Sequence, residues 1–165
     1  MTFAPRLWVV GEVVSAAIMN QEVRDQWNSV LDAWTSYTPT WTSSGTNPAL
    51  GNGTITGRYM KVGRTCTVSF LLTTGSTTTY GTGTYLIGLP FPAAATVVSY
   101  LGSARLSGTD TWIGHMLLGS GSSSANVTFS ASATNTRGAN MSGTVPETLA
   151  AGVQLRATIT YQTAT

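Results

Sequence analysis

From Thr54 to Gln162 the chain repeats one device: a short run in which apolar and polar residues alternate, then a cluster of turn residues. Strict alternation is the signature of a strand with one buried face, because successive side chains point to opposite sides of the pleat. The last run is the cleanest. Val153, Leu155, Ala157, Ile159 and Tyr161 share one face, and Gln154, Arg156, Thr158, Thr160 and Gln162 share the other. Arg64–Leu72 behaves alike, with Cys66, Val68, Phe70 and Leu72 on the apolar side and Val62-Gly63 as the preceding turn. Further runs are expected at 54–60, 84–89, 97–106, 111–118 and 125–132, separated by Gly, Ser and Pro. The polar segment 75–83 and the tip 119–124 read as loops. Strands this short, with turns roughly every 8–12 residues, predict a mainly β fold with a β-sandwich or jelly-roll head. A terminal strand this regular is expected inside the sheet, tying the end of the chain down.

Composition supports the same class. Charged residues make up only 8% of the 165 positions, against about 25% in ordinary domains. The polar surface is therefore supplied by Thr, Ser, Asn, Gln and Gly, which suit pleated surfaces and turns. A surface poor in lysine loses little side-chain entropy when it packs against copies of itself.

One segment departs from this pattern. Ala16, Asn20, Val23, Trp27, Val30 and Trp34 are spaced alternately by four and three residues, the register of a coiled-coil seam. The spacing predicts a helix over 15–34, capped by the Ser15 hydroxyl. A helix this short is marginal in water, so its two tryptophans require a cover. Two covers are open: the same helix from sister chains, giving a homotrimer, or the chain's own sheet, giving a monomeric α+β domain. The seam reading makes Ala16, Asn20, Val23, Trp27, Val30 and Trp34 an oligomer interface, with Asn20 setting the register. Residues 1–14 read as an extended anchoring arm, with a short strand at Leu7–Val10 and with Phe3, Leu7 and Trp8 needing another surface. Residues 35–53 read as a linker containing a first edge strand around Tyr37, Pro39 and Trp41, and 54–165 as the head.

Chemistry-bearing residues are sparse. Cys66 is the only cysteine and His115 the only histidine. Zinc sites need three or four converging ligands, and catalytic triads need an oriented base, so no catalytic residue, metal site or cofactor is expected and the chain reads as a non-enzyme. Asp110 and Glu147 are the only acids after Trp34. A glycosidase pair could be built from them, but both sit beside turn residues, where solvated acids are ordinary. The net charge of +2 divides unevenly: two basic against four acidic residues up to Trp34, six against two beyond it. The basic residues are dispersed, so no nucleic-acid footprint is expected. No apolar run is long enough to insert in a membrane. Tyr80, Tyr85, Tyr100 and Trp112 are the candidate glycan contacts, since exposed aromatic rings stack on sugars.

Two stretches carry a family resemblance. Trp8-Val-Val-Gly-Glu-Val-Val-Ser-Ala-Ala-Ile-Met-Asn20, followed by Val23-Arg-Asp25, is similar to an arm leading into a helix. Gly57-Arg-Tyr-Met-Lys-Val-Gly-Arg-Thr-Cys-Thr-Val68, with Gly83 and Leu89-Pro-Phe-Pro92, is similar to a β-rich fibre head. Together they resemble the tail-fibre, head-fibre and decoration proteins of tailed bacteriophages that infect actinobacteria. The resemblance implies a homotrimer in the virion, assembled in the host cytoplasm. Its N-terminal arm would be held by other virion proteins, capsid or tail, and its head displayed for particle stabilisation or for a host cell-surface glycan. A carbohydrate-binding β-sandwich module is the alternative reading.

Overall fold

The computed structural model describes residues 7–31 and 33–165. A short helical segment, α1 (Ala16–Met19) and α2 (Asp25–Leu31) joined by a π-helical turn at Asn20–Arg24, precedes ten strands. These are β1 (Thr35–Tyr37), β2 (Trp41–Ser43), β3 (Thr54–Val62), β4 (Thr65–Thr73), β5 (Tyr85–Gly88), β6 (Tyr100–Ser107), β7 (Thr111–Leu118), β8 (Ser124–Ser130), β9 (Gly138–Asn140) and β10 (Gln154–Gln162). All pair antiparallel in one sheet, in the order β1-β3-β4-β10-β6-β7-β8-β5-β2, with β9 on the side of β8.

The topology dictates a strong curl. β1 and β2 lie at opposite ends of this order, yet Tyr37 closes one and Trp41 opens the other. A flat sheet would hold them eight strand spacings apart, about 38 Å. The chain from Tyr37 to Trp41 reaches at most about 14 Å. The sheet therefore bends until its edges approach, and its inner face becomes the core. Cys66, Val68, Phe70 and Leu72 of β4 meet Leu155, Ala157, Ile159 and Tyr161 of β10, with Leu106, Met116, Val127, Phe129 and Ile87 in the same buried cluster. Hydrophobic burial in a shared interior is what holds the curl.

The strongly alternating runs form strands with one buried face. Every second residue from Val153 to Tyr161 is buried, and β10 lies between β4 and β6. Two expectations change, and one strand, β9, was not anticipated. Residues 35–53 are not a linker with one strand: β1 and β2 close opposite edges of the sheet, and buried Pro39, which has no N–H to donate, sits where pairing switches. β9 had no alternation long enough to detect. Leu7–Val10 forms no strand; the chain turns at Val10-Gly11, with Glu12 N–H bonded to the Val9 carbonyl at 3.0 Å.

Candidate functional site

The helical segment starts as the sequence predicts, with the Ser15 hydroxyl accepting the Ile18 N–H at 3.3 Å. It then departs in two ways. The π turn at Asn20–Arg24 closes its bonds over five residues, taking one extra residue into the turn. Val23, Trp27 and Val30 are thereby rotated away from Ala16 and Asn20, so the seam is interrupted. The helix also ends at Leu31, which removes Trp34 from the stripe. What remains is a compact apolar face. Val23, Trp27, Val30 and Leu31 are all exposed, Trp27 by 62%. Leu7 and Trp8 of the arm are exposed as well; Phe3 lies outside the described residues.

The aromatic quartet does not form a platform. Tyr85 is a core residue, 1% exposed, packed edge-on against Trp41 at 5.1 Å and donating its hydroxyl to the Tyr80 carbonyl at 2.7 Å. Burial pushes its phenol well above the ordinary range. Tyr100 is half-buried against Tyr161, and Tyr80 and Trp112 pack partly into the core. Tyr85, Tyr100 and Trp112 sit at inner-face positions of alternating strands, and Tyr80 lies in the connection before β5. The expectation of exposed rings is corrected for Tyr85 most clearly.

The candidate acid pair has a different role. Glu147 accepts three N–H groups: Thr109 at 2.8 Å, Asp110 at 3.1 Å and the Trp112 indole at 2.9 Å. Partial burial alone would raise its pKa, but the indole and two backbone donors outweigh that and hold the carboxyl below its usual value. The arrangement organises the turn between β6 and β7. His115 is exposed on the outer face of β7, and Cys66 is buried with its thiol pushed up by that burial. Among the described residues no three of His, Cys, Asp and Glu come together as metal binding would require, and no helix is long and apolar enough to cross a membrane.

A site that the sequence did not reveal lies on the outer face of the sheet. A groove of about 740 Å³ is lined by the outward residues of β3, β4, β10, β6 and β7, with Trp34 at the β3 side. Two cross-strand rows run through it. One is Thr56, Leu71, Arg156, Arg105 and Ile113; the next is Arg58, Ser69, Thr158, Ser103 and His115. Arg58, Arg105 and Arg156 are exposed, and among the described residues none has a carboxylate in salt-bridge range. The remaining two basic residues near Arg58 in sequence are used elsewhere. Lys61 donates to the Thr165 carbonyl, and Arg64 to the carbonyls of Thr163 and Ala164. The detectable signal was the arginine at the polar phase of three separate alternating runs.

No protein-family model, curated protein or solved structure matches this chain.

Proposed function

We propose that this chain is a non-enzymatic structural protein of a virion, a homotrimeric fibre or decoration component. Its N-terminal arm and helix dock and assemble, while its jelly-roll-like head faces outward to stabilise the particle or meet the host surface. One observation carries the reading. The apolar face of Val23, Trp27, Val30 and Leu31 stays exposed in the single chain, although the head already has a closed core of its own. A helical segment this short needs tertiary or quaternary cover to persist, and large exposed apolar patches mark interaction surfaces. The acidic helical end and basic head add a polarity suited to a chain whose two ends meet different surroundings.

The test is a solution mass by analytical ultracentrifugation on the intact chain and on Trp27→Ala. The parent should sediment as a trimer. Removing a ring packed against sister chains costs about 3–5 kcal/mol per chain, so the variant should shift toward monomer while its β circular dichroism is retained. A parent that sediments as a monomer refutes the trimer. Cryo-electron microscopy of intact particles then assigns the chain to capsid or tail.

A further inference from the structure

We infer that the outer-face groove of the head binds an anionic polysaccharide, a sugar chain carrying regularly spaced carboxylate or sulfate groups. This deepens the reading of the head as the displayed end, and rests on it for the biological setting.

The first argument is charge. Every charged residue in the ten strands is basic: Arg58, Lys61, Arg105 and Arg156. Asp110 and Glu147 lie in the connections, and Glu147 is already engaged by three N–H donors. The second argument is placement. Arg105 and Arg156 are direct cross-strand partners on one face, which sets their Cβ atoms about 5 Å apart, and like charges so opposed are destabilising. An oxyanion between them would relieve the repulsion, and the guanidinium fork is matched to bidentate contact with such groups. Arg58 lies two strands away and one row along, about 12 Å from Arg156 by strand geometry. That spacing suits successive charges on a chain better than one small ion.

The third argument is what lies between the charges. Ser69, Ser103 and Thr158 supply hydroxyls, while Trp34, Leu71 and Ile113 supply apolar surface. Sugars present both hydroxyl edges and apolar C–H faces, which the two kinds of side chain complement. A single-stranded nucleic acid would want several aromatic rings for consecutive bases, and the groove exposes only Trp34, the Phe70 side chain being part of the core. The remaining competitor is the acidic N-terminal segment of a second copy.

The experiment is isothermal titration of the full chain, at low and at physiological salt, with hexagalacturonate, sulfated dextran, uncharged dextran and a short single-stranded DNA. One or both anionic sugars should bind, more weakly at high salt, and the better one identifies the oxyanion. R105Q/R156Q should weaken that binding by roughly tenfold or more, while still melting cooperatively and no lower than the parent. R137Q, an exposed arginine outside the groove, should bind like the parent. Binding no better than uncharged dextran, binding unchanged in R105Q/R156Q, or tighter binding of DNA would overturn the inference. So would a change of sedimentation mass in R105Q/R156Q, which would make the face a contact between copies. A monomeric parent that still binds the anionic sugar would sink the trimer alone and leave the groove standing.

Discussion

The Glu147 carboxylate accepts the Trp112 indole N–H at 2.9 Å across 35 positions of sequence, while its other contacts pin the β6–β7 turn just before that tryptophan. Glu147→Gln keeps the shape but loses the charge, and turns one accepting oxygen into a donor facing N–H groups. It should cost about 1–3 kcal/mol in urea unfolding. The pH dependence has a definite sign. Because the folded carboxyl is held below its unfolded value near 4.5, its contribution is full above that value and disappears as pH falls through the folded one. The parent should therefore lose stability below about pH 4.5, and the difference between parent and Glu147→Gln should shrink there.

Tyr37 and Tyr161 make opposite predictions for the same substitution. The Tyr161 hydroxyl donates to the Phe91 carbonyl at 2.9 Å. The Tyr37 hydroxyl is buried without a protein partner among the described residues, and that burial raises its pKa well above the ordinary range. Tyr161→Phe should lose about 1 kcal/mol, and Tyr37→Phe should be neutral or gain up to about 1 kcal/mol. Chemical denaturation of both variants reads the sign directly.

Gly57 lies opposite Tyr37 in the β1–β3 pairing, and a Cβ there would come within 2.3 Å of the Tyr37 ring. The ring is wedged among the sheet edge and Tyr59, whose centroid is 5.9 Å away. It has little room to retreat. Gly57→Ala should displace β1 and cost about 1–3 kcal/mol. Faster amide exchange confined to residues 35–37 and their partners on β3 would be its signature.

The opposed arginines on β6 and β10 predict a gain in the absence of ligand. R105Q/R156Q removes a directly facing like-charge pair. Its Tm should rise by about 1–3 °C at low salt, and the gain should fade as salt increases. A drop in Tm at low salt would mean that the two guanidinium groups are held apart by packing and do not repel.

Much of the interior was legible in the sequence because the period of a strand is local. The alternation of Val153, Leu155, Ala157, Ile159 and Tyr161 assigned them to one side of β10, and burial needed no further information. The same holds for Cys66–Leu72 and for the Ser15 cap, whose partner Ile18 is within one turn. The helix was harder. Its apolar spacing looked like a continuous seam, but a π turn is a change of hydrogen-bond partner that spacing alone does not encode.

The outer-face groove was not legible, for a physical reason. Arg58, Arg105 and Arg156 belong to runs that look alike one at a time, and each reads as a solvated charge on a polar face. Their meeting depends on strand order: β10 inserts between β4 and β6, which sets Arg156 against Arg105 and two strands from Arg58. The amino-acid sequence by itself determined which side chains turn inward, where the turns fall and how charge divides between the two ends. Only the tertiary structure decided that the sheet curls until β1 and β2 approach, that Glu147 reaches Trp112, and that three dispersed cations share one groove. Facing is set by neighbours along the chain, whereas convergence is set by pairing between segments far apart in it.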